Sequence, residues 1–125
     1  MGHPSTRTLK YGPVFSWAKQ HDGLIYTSGH AAVGVDDLEF SYGDFVHEAR
    51  ATLQNLRRTL EKAGSSLDKV IRVTCYMTDL GNFGLFNQVY SEFFDVENPP
   101  VRTCVEVRRL PYDFKLEVEV IAAAG

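Results

Sequence analysis

The feature of this sequence that most constrains its fold is a change of hydrophobic period near residue 44. Between about Asp44 and Ala63, apolar residues recur at steps of three and four, which is the pattern of one face of an amphipathic helix. The apolar stripe consists of Phe45, Ala49, Leu53, Leu56, Leu60 and Ala63. Gly64 then provides a C-terminal stop, so the pattern predicts one long helix here.

Segments that alternate between apolar and polar residues flank this helix and predict β-strands. "VFSWAKQ" and "GLIYTSG" are separated by Asp22-Gly23, which is a strong hairpin signal. Residues 30–43 are irregular and predict a loop with a short strand. After the helix, "DKVIRVTCYMTD" predicts a strand that places Ile71, Val73, Cys75 and Met77 on one face.

A second helix is predicted from about Asn82 to Phe94, followed by a break at Pro99-Pro100. Its apolar stripe consists of Phe83, Phe86, Tyr90, Phe93 and Phe94, and we interpret it as core. The last two strands are "VRTCVEVRR" and "KLEVEVIAA", interpreted as a hairpin. The order β-β-α-β-α-β-β predicts an α+β fold with two helices packed on one face of a mixed sheet.

Two helices can cover only one face of such a sheet. The other face must therefore contact solvent, a ligand or another subunit. Alternation in the last two strands assigns to the core Thr103, Val105, Val107, Leu116, Val118 and Val120. It assigns to the opposite face Arg102, Cys104, Glu106, Arg108, Glu117, Glu119 and Ile121. Alternation alone leaves open whether that polar face meets solvent or a pocket. Because the uncovered side of the preceding strand also carries Val70 and Tyr76, we expect a homo-oligomer whose sheets face one another.

Composition narrows the function classes. A length of 125 residues predicts one domain spanning 1–125, and a net charge of −3 argues against a protein that binds nucleic acid through phosphate neutralisation. The four histidines show no metal-ligand spacing, and the two cysteines lie outside any CxxC motif, so no metal is predicted. We expect a cytoplasmic protein with reduced thiols and no membrane association, since no run of membrane-spanning length is present.

Several segments together match one family in order and spacing. They are "GP" at 12–13, "YTSGH" at 26–30, "LQNLRRTLEKAGSSLDKVIRVTCYMTDL" at 53–80, "FNQVYSEFF" at 86–94, "PPVRTCVEVRRLP" at 99–111 and "LEVEVIA" at 116–122. Through these segments the chain resembles the Rid/YjgF family of enamine/imine deaminases, whose older label is endoribonuclease L-PSP. The resemblance covers most of the chain, from about Gly12 to Ala123.

The resemblance implies a chorismate-mutase-like α+β fold, assembled as a homotrimer with a central barrel and three pockets between subunits. It implies hydrolysis of reactive enamines or imines, such as 2-aminoacrylate, to a 2-keto acid and ammonia, without metal or organic cofactor. The alternatives are a module of the same fold that binds small carboxylates without turnover, and a ribonuclease. The ribonuclease fits poorly, because the sequence has neither a basic stripe nor a histidine pair for phosphodiester chemistry.

The resemblance points to two catalytic residues, Arg102 and Glu117. Arg102 carries the family's signature arginine, and its guanidinium can grip a substrate carboxylate through two parallel hydrogen bonds. The alternative for Arg102 is a surface ion pair with Glu117 or Glu119. Glu117 matches the family's glutamate and can position a water molecule and handle a proton, or it can simply compensate the charge of an arginine.

Five further residues are predicted to bind substrate: Phe15, Ser28, Gly29, Asn87 and Cys104. Ser28 and Gly29 end a strand where the family lines its pocket, although ordinary strand-end hydrogen bonding is an equal alternative for Ser28. Cys104 lacks a neighbouring base and is interpreted as a pocket thiol open to alkylation, not as a nucleophile.

The departures from the family pattern include Phe15 and His30, with milder changes at Glu48 (often Gln) and Val101 (in place of Ala). Many members have a pocket tyrosine in "GPY", whereas this chain reads "GPVFSWA", so that Phe15 is the counterpart and has no hydroxyl. A larger or more apolar substrate than 2-aminoacrylate is compatible with this change. His30 replaces a residue that is often Gln, and we predict that it is a hydrogen-bonded structural histidine.

Overall fold

The structure is a computed structural model that describes residues 6–8 and 13–125. Its elements are β1 (Thr6–Thr8), β2 (Ala18–His21), β3 (Leu24–Thr27), β4 (Glu39–Ser41), α1 (Phe45–Lys62), β5 (Val70–Met77), α2 (Phe83–Tyr90), β6 (Val101–Glu106) and β7 (Leu116–Ala123). Short 3-10 turns cover Leu67–Lys69, Leu80–Asn82 and Pro111–Asp113. This arrangement confirms the predicted α+β class. In the part of the chain that the structure describes, no helix is long and apolar enough to cross a membrane.

The main sheet has five strands in the order β2-β3-β7-β5-β6, and β1 pairs separately with β4. The pair β5–β6 is parallel, whereas β7 runs antiparallel to both β5 and β3. The predicted hairpin of the last two strands is therefore wrong, since β6 and β7 lie on opposite sides of β5. The reason is topological: α2 forms a crossover that returns the chain parallel to β5, and β7 then takes the free side of β5.

The first hairpin and the first helix agree with the sequence pattern. β2 and β3 pair across a tight turn in which Asp22 and Gly23 have positive φ angles of 51° and 78°. The Asp44 carboxylate accepts a hydrogen bond of 2.8 Å from the His47 N–H and so caps α1. The predicted stripe is buried from Phe45 to Leu60, and only its last member, Ala63, lies exposed at the helix end.

Strand β5 differs from the prediction at its start. The register with β7 shifts between Val70 and Arg72, as at a β-bulge. Val70 consequently lies in the core and Ile71 is 47% exposed, so the predictions of Val70 on the uncovered face and of Ile71 on the buried face are both wrong. After the bulge, Val73, Cys75 and Met77 are buried as predicted.

Helix α2 is shorter than predicted, because residues 91–94 continue it only as turns. Phe86, Tyr90 and Phe94 are buried and belong to the core shared with α1 and the sheet. Phe83, however, is 40% exposed, and Phe93 is half-buried. The core interpretation of the stripe therefore holds for three of its five members.

The sheet has a helix-covered face and an open face. The helix-covered face is defined by Val73, Cys75, Val118 and Val120, which are buried in the core cluster with α1 and α2. The open face is defined by the paired residues Thr74 with Glu119 and Tyr76 with Glu117. It carries exposed apolar side chains within the protomer: Tyr26, Ile71, Val101 and Val105.

The predicted orientation of β6 is wrong. Its register pairs Arg102 with Val73 and Cys104 with Cys75, so both side chains lie on the helix-covered face. Val101 and Val105 lie on the open face, where they are 55% and 39% exposed. The physical reason is that an edge strand takes its faces from its only neighbour, and alternation within the strand does not distinguish the two faces.

Candidate active site

Arg102 is held against the aromatic side chains of α2. Its guanidinium carbon lies 4.7 Å from the ring centroid of Tyr90, 5.3 Å from that of Phe83 and 5.7 Å from that of Phe86. Each distance falls within the range in which a cation is attracted to the face of an aromatic ring. The rings thus orient a half-buried guanidinium without using its N–H donors.

No ion pair to Arg102 is formed by any carboxylate in residues 13–125. The alternative prediction, an ion pair with Glu117 or Glu119, is therefore wrong within the protomer, because those two residues lie on the open face. The guanidinium of Arg102 is therefore available to form a bidentate hydrogen-bonded contact with the carboxylate of a ligand.

Cys104 lies two residues beyond Arg102 on the same face and is half-buried. Its partner in the parallel register is Cys75, which is fully buried, and both are free thiols. Hydrogen bonding to Cys75 lowers the pKa of Cys104, burial opposes this effect and the positive charge of Arg102 adds to it, so that the resulting pKa is about 7. The sequence did not reveal this thiol pair, because it depends on the register of β5 with β6.

Asn87 lies on the same stripe of α2 as Phe83 and Tyr90, four residues after the one and three before the other. It is half-buried, which is compatible with its predicted role as a pocket residue. Tyr90 was interpreted as core alone, yet the structure shows that its ring also contacts Arg102. The "N-x-x-Y" spacing was the only signal in the sequence that could have connected them.

Glu117 lies on the open face, against the strand-end glycine that was predicted to allow a close approach. A Cβ atom added to Gly29 would lie only 2.6 Å from the Glu117 Cδ atom, so the absence of a side chain at Gly29 makes room for the carboxyl group. Burial raises the pKa of Glu117, and the nearby charge of Glu119 raises it further. This carboxyl group is therefore easier to protonate than an ordinary glutamate.

Glu119, two residues further along β7, has a different environment. The Tyr76 hydroxyl donates a hydrogen bond of 2.6 Å to its carboxylate, and this bond raises the pKa of Tyr76 to about 12. Glu119 is thus already engaged within the protomer, while Glu117 has no ion-pair partner among the described residues. The two glutamates share a face but not a role.

Ser28 is used mainly to fix the local backbone. Its hydroxyl donates to the Ser16 carbonyl at 2.6 Å, and its N–H donates to the Trp17 carbonyl at 3.0 Å. This favours the strand-end alternative for Ser28 and leaves only hydroxyl lone pairs for a ligand. The same bonds attach residues 16–17 to the segment that carries Gly29.

Phe15 and Trp17 form an aromatic wall beside this segment. Their ring centroids are 5.1 Å apart in an edge-to-face arrangement, and Phe15 is 46% exposed. Trp17 in turn lies 4.9 Å from the ring of His30. The position predicted to replace a pocket tyrosine is therefore occupied by an accessible apolar ring.

His30 is structural, as predicted. Its Nδ1 atom lies 2.8 Å from the Ser28 carbonyl and its Nε2 atom 2.7 Å from the Thr59 hydroxyl. Nδ1 can bond to a carbonyl only as a donor, and in a neutral ring Nε2 then accepts a hydrogen bond from the Thr59 hydroxyl. Burial lowers the pKa of His30 to about 4, which keeps the ring neutral at physiological pH.

The predicted site residues therefore form two half-sites on opposite faces of one protomer. The first half-site, on the helix-covered face, consists of Arg102, Cys104 and Asn87. The second, which includes the open-face carboxyl group, consists of Glu117, Gly29, Ser28 and Phe15. Two clefts of the protomer run instead beside α1, and neither contains a residue of either half-site. In the described residues, no group of three or more His, Cys, Asp or Glu side chains could hold a metal ion.

Comparison with known proteins connects these half-sites to one family. The family model described as "Endoribonuclease L-PSP" matches residues 9–124. The chain belongs to this family, the Rid/YjgF family. The family prediction from the sequence is therefore confirmed, and it extends across both half-sites.

Relatives within the Rid/YjgF family include a RutC family protein and a protein named as a reactive intermediate deaminase. A RutC family protein of Pyrococcus abyssi is 39% identical over 111 residues, covering 89% of this chain and 86% of the relative. "Putative reactive intermediate deaminase TdcF" of Escherichia coli K12 is 40% identical over 101 residues, covering 79% of this chain and 78% of the relative.

Solved structures of this family share the fold. The crystal structure of E. coli TdcF with bound serine superposes with a TM-score of 0.81 at 36% identity, covering 91% of this chain and 90% of that one. The Rid protein YyfA of Yersinia pestis gives a TM-score of 0.83 at 31% identity, covering 89% and 88%. The predicted fold is therefore shared with solved members of the family.

Proposed function

We propose that this Rid/YjgF protein is a hydrolytic deaminase of reactive enamines and imines, acting in the cytoplasm and releasing a 2-keto acid and ammonia. The observation that carries the proposal is the orientation of Arg102, a guanidinium supported by three aromatic rings and without an ion-pair partner in the described residues. It is supported by 40% identity to a relative named as a reactive intermediate deaminase. A related structure holds serine, a small amino acid with a carboxylate.

Arg102 binds the carboxylate of the substrate in this proposal. A bidentate guanidinium–carboxylate contact fixes both the position and the rotation of a small ligand, and it is stronger than a contact between neutral groups. The carboxylate of a 2-imino acid is adjacent to the C=N carbon, so fixing one end of the molecule also places the reacting atom. Asn87 and the thiol of Cys104 line the same space.

Glu117 acts as the general acid and general base in this proposal. A glutamate with a raised pKa can donate a proton to the enamine carbon, which converts the enamine into an iminium ion. As the carboxylate, it can then accept a proton from the water molecule that attacks the C=N carbon. Returning that proton to nitrogen lets the tetrahedral intermediate expel ammonia, and the hydroxyl proton passes back to Glu117 as the keto group forms. None of these reaction steps transfers electrons to or from a cofactor.

The two catalytic residues lie on opposite faces of the sheet, so one protomer cannot present both to one substrate. We therefore propose that Arg102 of one protomer meets Glu117 of a neighbour. The exposed apolar side chains on the open face give a second reason for assembly, because such patches commonly become buried in interfaces. A closed homotrimer, in which each protomer contributes to two identical sites, satisfies both conditions.

The aromatic wall of Phe15 and Trp17 affects the choice of substrate. The accessible phenyl ring of Phe15, packed against Trp17, offers apolar contact and no hydrogen bond. We expect imines with apolar side chains to be hydrolysed at least as well as the alanine-derived imine, whose enamine tautomer is 2-aminoacrylate. We also propose that residues 1–125 form one domain. Its ligands are small molecules, and neither nucleic acid nor a membrane is a partner.

The test measures ammonia release from imines generated in situ by an amino-acid oxidase. Arg102→Ala should lower kcat/KM by about 10² or more, because a charged hydrogen-bonded contact to the substrate is lost. Arg102→Lys is the matched control, since it keeps the charge and loses the fork, and it should retain an intermediate rate. Identical rates for wild type and Arg102→Ala across a panel of imines would refute the proposal. Stabilisation by 2-keto acids without any turnover would indicate the binding-module alternative.

A further inference from the structure

Cys75 and Cys104 occupy directly paired positions on neighbouring parallel strands, and both side chains lie on the helix-covered face. Directly paired residues on adjacent strands are separated by about 4.8 Å. Disulfide-bonded residues have Cα atoms about 4.4–6.8 Å apart, so this register brings the thiols within bonding reach. Because both residues lie on the same face of directly adjacent strands, their side chains are neighbours.

The two thiols differ in the way that a reactive pair requires. Cys104 is half-buried, and its pKa is lowered to about 7 by the hydrogen bond with Cys75, with help from the Arg102 charge. Cys75 is fully buried, and the same hydrogen bond together with burial raises its pKa. The proton of the pair therefore stays on Cys75, and the thiolate forms on the accessible partner.

A buried hydroxyl beside this pair has no partner. The Tyr90 hydroxyl is the only buried side-chain oxygen or nitrogen in residues 13–125 that makes no hydrogen bond. Its ring lies against Arg102, and burial raises the pKa of Tyr90, with a smaller contribution from electrostatic interaction with both thiols. A buried donor without an acceptor is costly, so this hydroxyl is available to an oxygen atom that reaches Cys104.

We propose that Cys104 and Cys75 form a redox modification site that reduces a hydroperoxide and closes to a reversible disulfide. The Cys104 thiolate attacks the terminal peroxide oxygen, the O–O bond breaks, and the leaving oxygen takes up a proton to become water or an alcohol. Cys104 is then a sulfenic acid. The Cys75 sulfur attacks the Cys104 sulfur, and the S–O bond breaks as hydroxide leaves with the Cys75 proton as water.

The two thiols supply the two electrons in this sequence, and one hydroperoxide is reduced. The proposal rests on the register of β5 with β6 and not on deamination, so it can succeed or fail by itself. A Cα separation of about 4.8 Å lies within the disulfide range but below its usual value of about 5.5–6 Å, and strained disulfides are the ones that thiols reduce readily. Oxidation at this site is therefore expected to be reversible.

The experiment treats the reduced full-length protein with about one equivalent of hydrogen peroxide and maps its peptides by mass spectrometry without reduction. The wild type should yield a peptide pair joined through Cys75 and Cys104, and dithiothreitol should restore both thiols. Cys75→Ala should form no joined peptide, and it should accumulate about tenfold more sulfenic acid at Cys104, detected with dimedone. Cys75→Ser is the second variant, in case the small cavity left by alanine disturbs the core.

Blocking Cys104 with iodoacetamide provides a control in the wild type itself, since it should prevent oxidation of Cys75 at the same peroxide dose. Dimedone labelling of Cys104 to the same extent in wild type and Cys75→Ala, with no joined peptide in the wild type, would overturn the proposal. A disulfide between Cys104 residues of two copies would also overturn it.

Discussion

At the scale of single residues, the local environment gives chemically identical side chains different roles. Glu117 and Glu119 are two residues apart on β7 and share the open face. Glu119 accepts a hydrogen bond from Tyr76, whereas Glu117 lies against Gly29, where burial raises its pKa. Functional assignment therefore depends on the neighbours of each carboxyl group.

The first prediction concerns Glu117→Gln. Loss of the proton-handling group should lower the deamination rate by about 10²-fold. Because the pKa of Glu117 is raised in the folded protein, its ionisation opposes folding, and this cost appears as the pH rises above the unfolded value. The Gln variant should thus gain stability relative to wild type between acidic and neutral pH, as measured by thermal unfolding at both.

Glu119→Gln is the matched control on the same strand and face. Its amide oxygen can still accept the Tyr76 hydrogen bond, so the rate should fall far less than for Glu117→Gln. The assignment of Glu117 would be wrong if both variants lost activity equally. A raised pKa of Glu117 would be contradicted if Glu117→Gln gained no stability towards neutral pH.

At the scale of elements, helix α1 supports the sheet from which both half-sites project. Its buried side chains pack against β5 and β7. β5 is the neighbour of the strand that carries Arg102, and β7 carries Glu117. Its first turn is fixed by the Asp44 cap, and the end of the helix is followed by Gly64 at a positive φ of 82°. The sequence predicted these features because caps and apolar stripes are local signals.

The second prediction follows from the cap. Asp44→Ala removes the acceptor for the His47 N–H and should cost about 1 kcal/mol of stability. Asp44→Asn keeps an acceptor oxygen and should cost much less. Urea unfolding of both variants measures the difference; equal midpoints for the two variants would show that the cap contributes nothing.

At the scale of the whole molecule, the half-sites require more than one copy of the chain. Arg102 and Glu117 lie on opposite faces of a sheet that separates them completely. Alternation in the sequence predicts that they share one face, and the family resemblance predicts a cleft between subunits. The corrected orientation of β6 gives an independent, geometric reason for the same proposal.

The third prediction is complementation between inactive variants. Arg102→Ala and Glu117→Gln, refolded together in equal amounts, should recover about a quarter of the wild-type activity, because one site in four then receives an intact residue from each neighbour. Each variant alone should stay inactive. As a control, Arg102→Ala mixed with the double variant should recover nothing. Absence of recovery in the first mixture, with mixed oligomers verified by native mass spectrometry, would contradict an intersubunit site.

The sequence by itself determined the α+β class, the core face of α1, the first hairpin, the family and the identities of the candidate residues. These depend on local periodicity, turn chemistry and motif spacing, which are written within short stretches of chain. The tertiary structure decided the orientation of Arg102, the bulge that exposes Ile71 and the pairing of Cys75 with Cys104. Alternation sorts a strand into two faces, but only its register with a neighbour, and the helix packed above, establish which face is covered.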